Sequence, residues 1–396
     1  MMLSLLLARA GVPVTLLESQ RDFDRDFRGD TIHPATLEVL DQIGLAERVH
    51  ELPHVKARSF RFIYGKSSDT AAVFSRLPTK FPYIMIMPQS RFLEFLAAEA
   101  ARYPHFRLVT GAHVDRLLEE NGSVAGVSFR QGEDRGDLRA RLTVAADGRF
   151  SRVRKLTGME PEPQTGPMEV LWFRLPRRDE DHHDEAAVAF GRRQGIVVLG
   201  RTHTWQLGYV GPEGHYHDVK AQGIEAFRES VAEVVPWLAD RVNSLRDFSD
   251  LSLLSVQGSR LARWHRPGLL LIGDAAHVML PVGGVGINCA IADAVEAVNV
   301  LAEPLRADRV EVRHLAEVQR RREGVTRTIQ SFQARMQRGM VAAFKAGTGF
   351  RLPLPARIVL RIPFLRDLPP RLTAFGVRRV RLEHPDEVAT VAQATY

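Results

Sequence analysis

Cysteine is nearly absent from this chain: its 396 residues include one, Cys289. A single thiol excludes an internal disulfide and any metal centre built on several thiolates, and it suits a reducing cytoplasm. Long apolar runs are lacking as well. No stretch reads as the roughly 18–20 uninterrupted apolar residues of a membrane span, so a cytoplasmic enzyme of ordinary α/β composition is expected. Acidic charge is scarce in one region: between Lys345 and Arg381 stand nine basic residues and one acid, Asp367, enough to account for the net charge of +7. Leu, Ile, Phe and Pro are interleaved with them. The segment is therefore expected to form C-terminal helices packed over the core with a solvated face and not a nucleic-acid site, with contact to an anionic membrane surface as the less favoured alternative.

A glycine-rich turn is also missing where one is wanted. In "MMLSLLLARAGVPVTLLES" no charge precedes Leu3 and Arg9 interrupts the apolar run, which is a poor secretion signal. The pattern predicts a helix ending at Ala10, closed by Gly11 in the left-handed conformation and prevented from continuing by Pro13. "VTLLE" follows as a short buried strand ending in an acid, Glu18. Helix, tight turn, strand and acid form the second half of a nucleotide-binding βαβ unit, whose glycine loop lies before the helix and about 20 residues before the acid. Counting back from Glu18 runs off the front of the chain. The expectation is a start placed too late or a lost phosphate cradle, with weakened nucleotide binding in either case.

Further along, an amphipathic helix carrying Phe92, Phe95 and Leu96 is expected after a break at Pro88, and strands are expected around an Asn121-Gly122 hairpin. From about Met168 to Leu253 strand-like runs dominate, interrupted by one helix from Gly223 to Leu238. His182, His183, His215 and His217 lack metal-like spacing and read as exposed loop histidines. After Glu303 the tail reads as helical, broken at its prolines.

Two motifs carry the chemistry. "GDAAHVMLPVGGVGIN" delivers Gly273 and Asp274 at the carboxyl end of a buried strand, where ligands bind in open α/β sheets. Gly283, Gly284 and Gly286 permit close backbone approach, and the helix starting near Ile287 points free N–H groups and its dipole at electron-rich atoms. "AADGRFSRVRK" places Asp147 and Gly148 directly after the strand "LTVAADG".

With these motifs in combination, roughly Leu3 to Arg322 resembles the class A flavoprotein monooxygenases, the para-hydroxybenzoate hydroxylase type. The resemblance implies an α/β fold: a Rossmann-like FAD-binding domain of the GR2 type (1–165 and 259–340), an inserted mixed β-sheet substrate domain (166–258) and a helical basic tail (341–396). It implies that Glu18 holds the adenosine ribose, Arg28 (with Arg25 as its competitor) a cofactor hydroxyl or phosphate, and Gln89 the ribityl or diphosphate region. Asp147 and Gly148 match the family's DG motif. Asp274 would hold the ribityl chain, Pro281 would lie against the isoalloxazine ring, and the amides of Ile287 and Asn288 would face its pyrimidine oxygen.

The implied reaction is hydroxylation of a small aromatic or polyketide-like substrate by O2 through a C4a-hydroperoxyflavin, with NAD(P)H as transient co-substrate and no protein nucleophile. Trp172, Phe173, Trp205 and Tyr209 are candidates for lining the substrate pocket, although strand alternation lets only some face inward. Two alternatives stand beside this reading. One is a flavin-dependent reductase or other oxidoreductase of the same fold; the W-x-W-x-I-P halogenase signature is absent. The other is a noncatalytic remnant with impaired FAD binding.

Overall fold

The computed structural model describes residues 1–24, 30–181, 186–362 and 365–385. Its N-terminal helix, Met2–Arg9, is closed by Ala10 and by Gly11 at φ 78°, and the strand Val14–Glu18 follows as the sequence predicts. Leu5, Leu6 and Leu7 are buried in one core cluster with Leu96 of the helix Gln89–Ala100 and Val295 of the helix Gly286–Arg306. Burial of this kind, not propensity, is what holds so short a helix.

Two parallel ladders form one half of the molecule. Val14–Glu18 pairs with Phe106–Thr110, and Thr143–Ala145 pairs with Leu269–Leu271. Among the described residues the two ladders are not hydrogen-bonded to each other, and a large cavity runs between their facing edges. A three-stranded antiparallel sheet flanks them; its hairpin turns at Asn121 (φ 50°) and Gly122 (φ 76°), the paired left-handed conformations that Asn-Gly supplies.

The other half is an eight-stranded sheet ordered 277–278, 252–260, 162–176, 204–212, 195–200, 186–190, 59–64 and 67–73. All neighbours are antiparallel except 186–190 beside 59–64. Alternation divides its two faces. Leu171, Phe173, Trp205, Leu207 and Tyr209 pack outward against Phe227, Val231 and Leu238, whereas Val170, Trp172, Val188, Val197 and Val210 face the cavity. Of the four aromatic candidates only Trp172 therefore lines the pocket.

The covering layer differs from its prediction. Instead of one helix from 223 to 238 there are two, His215–Gln222 and Ile224–Val234, followed by the 3-10 turns of Pro236–Ser244. Gly223 at φ 89° separates the first two, and Pro236 ends the second. This also corrects the reading of His215 and His217, which lie on a helix; the His215 ring stacks on Tyr209 at 5.4 Å. His182 and His183 fall outside the described residues.

Behind both halves runs a 35-residue helix, Val312–Ala346, ending at Gly347 with φ 66°. Its buried face carries four glutamines, each bonded to backbone. Gln319 accepts from the Trp264 amide and donates to Ala262 O, and Gln330 donates to Ser259 O and Val278 O. Gln333 binds the amide and carbonyl of Leu280 and the carbonyl of Val282, and Gln337 donates to Gly166 O. The tail helices Leu354–Arg361 and Leu368–Phe375 lie beyond it, as their prolines suggested.

One expectation about apolar runs needs correction. Residues 282–306 are long and apolar enough to cross a membrane by length and composition. Half of that stretch's most apolar window is buried inside the protein, and Asp293 and Glu296 are buried on it, which marks the core helix of a folded domain.

Candidate active site

The cavity between the two halves encloses about 2480 Å³, well beyond the ~300–1,000 Å³ of a single small-molecule pocket. It has room for a dinucleotide and a further ring-sized ligand. Glu18, Gln89, Asp147, Gly148, Gly273, Asp274, Pro281, Gly283, Gly284, Gly286, Ile287 and Asn288 all line it. Residues separated by up to 270 positions in sequence are thus brought to one space. Arg25 and Arg28 fall outside the described residues.

The strand Leu269–Leu271 delivers Gly273 at φ 57°, and a Cβ there would come within 2.9 Å of the Ala290 Cβ, so only glycine lets the strand end lie this close to the 286–306 helix. Gly284, at φ 61°, is pressed against Thr31: a Cβ would sit 2.7 Å from its Oγ1. Thr31 Oγ1 donates to Gly284 O at 3.1 Å. The first amide bonded back at the start of the following helix is Cys289, to Val285 O at 2.9 Å. The amides of Ile287 and Asn288 are therefore left for an electron-rich group, with the helix dipole behind them.

The Asn288 side chain serves the protein itself. Its Oδ1 accepts from the His33 amide (3.0 Å) and Thr36 Oγ1 (2.9 Å), and its Nδ2 donates to Thr31 O and Gly284 O. Asp147 does likewise. Ser151 Oγ and the Val153 amide bond its two carboxylate oxygens, which fixes the turn that presents Gly148 at φ 82°. Glu18 stands at the end of its strand, where its carboxylate also accepts from the Gln20 amide at 2.9 Å.

Beneath the Gly273 turn lies a buried ionic group that the sequence did not single out. Asp293 accepts from the Gly273 amide (2.9 Å), from His277 Nε2 (2.6 Å) and from Arg322 Nε (2.7 Å). Burial pushes its carboxyl up, but His277 and Arg322 together overcome that and hold it at about 2. An acid on the apolar face of "NCAIADAVEAVNVL" was the available clue. Cys289, one turn away, is buried, and its thiol is pushed up to about 12.

These features suit a flavin dinucleotide: a strand end made of glycine and acid, a glycine-backed loop, two free amides on a helix start, and an apolar sheet face opposite. Residues 1–331 match the FAD binding domain family. The chain belongs to this family of FAD-dependent monooxygenases. It is 34% identical over 385 residues to the 6-methylpretetramide 4-monooxygenase of Streptomyces rimosus, covering 96% of this chain and 90% of that protein. The S. rimosus 12-dehydrotetracycline 5-monooxygenase/anhydrotetracycline 6-monooxygenase is 28% identical over 281 residues, and this chain spans about half of it, 52%. Among solved structures, the p-nitrophenol 4-monooxygenase of Pseudomonas putida superposes with a TM-score of 0.77 at 20% identity, covering 96% of each chain. The fold of this FAD-dependent monooxygenase is therefore shared well beyond recognisable sequence.

Proposed function

We propose that this monooxygenase hydroxylates a fused-ring phenol of the polyketide type, using NAD(P)H and O2. The observation that carries the reading is the meeting of the Pro281–Asn288 loop with an apolar sheet wall in one oversized cavity. The similarity to a monooxygenase named for 6-methylpretetramide, over nearly the whole of both chains, supports a substrate of that kind.

Bound FAD supplies the acceptance of hydride from NAD(P)H and the activation of O2 for transfer of one oxygen atom to the ring, the other leaving as water. The chain's residues bind, orient and shield. Asp274 and Gln89 would hold the ribityl and diphosphate region, Glu18 the ribose, and Asp147 with Gly148 the adjoining chain. The amides of Ile287 and Asn288 would stabilise negative charge at the pyrimidine end of the reduced ring. Pro281 would set the ring's position, with Gln333 binding the segment on both sides of it at 2.8–3.1 Å. Val170, Val188, Val197 and Val210 keep water away from the reacting atoms.

The test uses FAD-loaded protein, NADH or NADPH, and 6-methylpretetramide under isotopically heavy dioxygen. One heavy oxygen atom in the recovered ring product is expected. Reduced-nicotinamide consumption that yields only hydrogen peroxide, or no turnover with this and related fused-ring phenols, overturns the reading.

A further inference from the structure

Large apolar side chains are exposed at nine places among the described residues, and five of these fall between positions 354 and 377. They are Leu354, Ile358, Leu368, Leu372 and Val377, each 46–67% exposed. Scattered apolar residues on a surface need no explanation, but a concentration of them marks a contact site. Leu354 and Ile358 stand four apart on the helix Leu354–Arg361, and Leu368 and Leu372 stand four apart on Leu368–Phe375, so each pair forms one stripe. Ala356, Val359 and Leu360 of the first helix line the cavity, whereas Leu368, Leu372 and Val377 both line it and reach solvent, which places them at its mouth.

The two helices share one support. Both pack on the strand Ser67–Val73, and the turn between them is closed by the amides of Leu365 and Arg366 on Ile362 O (3.1 and 2.9 Å) and of Leu368 on Leu365 O (3.0 Å). Positive charge surrounds the stripes. Arg357 and Arg379 are paired with Asp69 and Glu38, but Lys345, Arg351, Arg371, Arg378 and Arg381 are exposed and have no acidic partner. The one acid from Lys345 to Arg381 is Asp367.

We infer that the tail helices dock on an anionic phospholipid bilayer, the five apolar side chains entering the boundary of headgroups and acyl chains while the unpaired basic residues meet lipid phosphates. Sequence order favours a solvated face, and the structure reverses that preference because the apolar stripes are on the outside. Helices with an apolar stripe flanked by arginine lie in the plane of such a surface, and each basic residue near it strengthens binding about fivefold. The stripes stand at the cavity mouth. A fused-ring phenol dissolves in lipid, so a bilayer would supply that mouth directly, whereas an acidic protein would cover it. Docking itself does not depend on which substrate the cavity takes.

The experiment sediments the FAD-loaded protein with vesicles of phosphatidylcholine and with vesicles of a phosphatidylcholine–phosphatidylglycerol mixture. Binding to the mixed vesicles alone is expected, and it should weaken as salt rises. Arg371→Gln combined with Arg381→Gln should weaken it about 25-fold, fivefold for each charge removed. Leu354→Ser combined with Ile358→Ser should weaken it about tenfold or more. None of these four residues lines the cavity, so the melting temperature and the oxidation of reduced nicotinamide in solution should be unchanged. No binding to either vesicle, or equal binding to both, overturns the inference. Sensitivity to the arginine pair without sensitivity to Leu354 and Ile358 would assign the patch to an acidic protein and overturn it too, as would vesicle binding that both double variants retain in full.

Discussion

Replacing Asp293 by alanine should destabilise the protein by about 3–5 kcal/mol, because a buried counter-charge would vanish from beneath the Gly273 turn. The carboxylate is fully buried, and it holds Arg322, itself 2% exposed, together with His277 and the Gly273 amide. Without it the guanidinium stays in the interior uncompensated. A loss of this size is a large share of the ~5–15 kcal/mol that usually separates folded from unfolded states. The assay is guanidinium denaturation of the FAD-free chain followed by tryptophan fluorescence, compared at equal slope. Acid adds an independent check. The folded carboxyl is held at about 2 against an ordinary 3.8, so its stabilisation is complete above the unfolded value and is lost as pH falls through about 2. That window is worth ~2 kcal/mol. Asp293→Ala should lack this component of acid sensitivity. A loss below about 1 kcal/mol, with the acid profile unchanged, would refute the claim that Asp293 neutralises a buried cation.

His33 gives a second, separate pH window: its folded value of about 4 lies below the ordinary 6.5, so the unfolded chain takes up the proton first. Stability should be full above pH 6.5 and fall by ~3 kcal/mol as pH drops towards 4, and His33→Phe should flatten that part of a melting-temperature profile. Gly284→Ala, at φ 61° and with its new Cβ 2.7 Å from Thr31 Oγ1, should cost about 1–3 kcal/mol and lower the FAD retained through gel filtration; unchanged retention would show that this close approach is dispensable. Cys289 should resist an aromatic disulfide reagent in the native protein and react fully after denaturation, since burial removes both access and thiolate; rapid native labelling would contradict its burial.

The cofactor half was largely legible from residue order, because its constraints are local. Gly11, Asn121-Gly122 and the Gly273–Asn288 stretch each demand a backbone conformation that few residues tolerate. The eight-stranded sheet was legible only as alternation. A period of two in "EVLWFRLP" says that neighbours face opposite ways but not which way is in, and so Trp172 could not be told from Phe173. Of the covering layer, the helix His215–Gln222 was missed altogether and Pro236 ends the predicted one at Val234. His33 and Gln333 escaped for another reason: their roles depend on partners 340 and 53 positions away, Thr373 and Leu280, and no local pattern encodes such distances. Asp147 was legible as a motif acid, but its bonds to Ser151 and the Val153 amide were not, since a turn-holding acid and a ligand-holding acid look alike in sequence.

The glutamine-studded helix behind the two halves also limits how such enzymes can be recombined. Gln330 and Gln337 hold carbonyls of the eight-stranded sheet, while Gln333 between them holds the loop around Pro281. A chimera that imports another enzyme's sheet to change its substrate would leave these amides aimed at a backbone they do not match. The mismatch would be felt one turn along the helix, at the Pro281 loop, although no residue there had been altered. The eight-stranded sheet and the Pro281 loop are thus tied to one helix, which is the seam along which a successful graft must be cut.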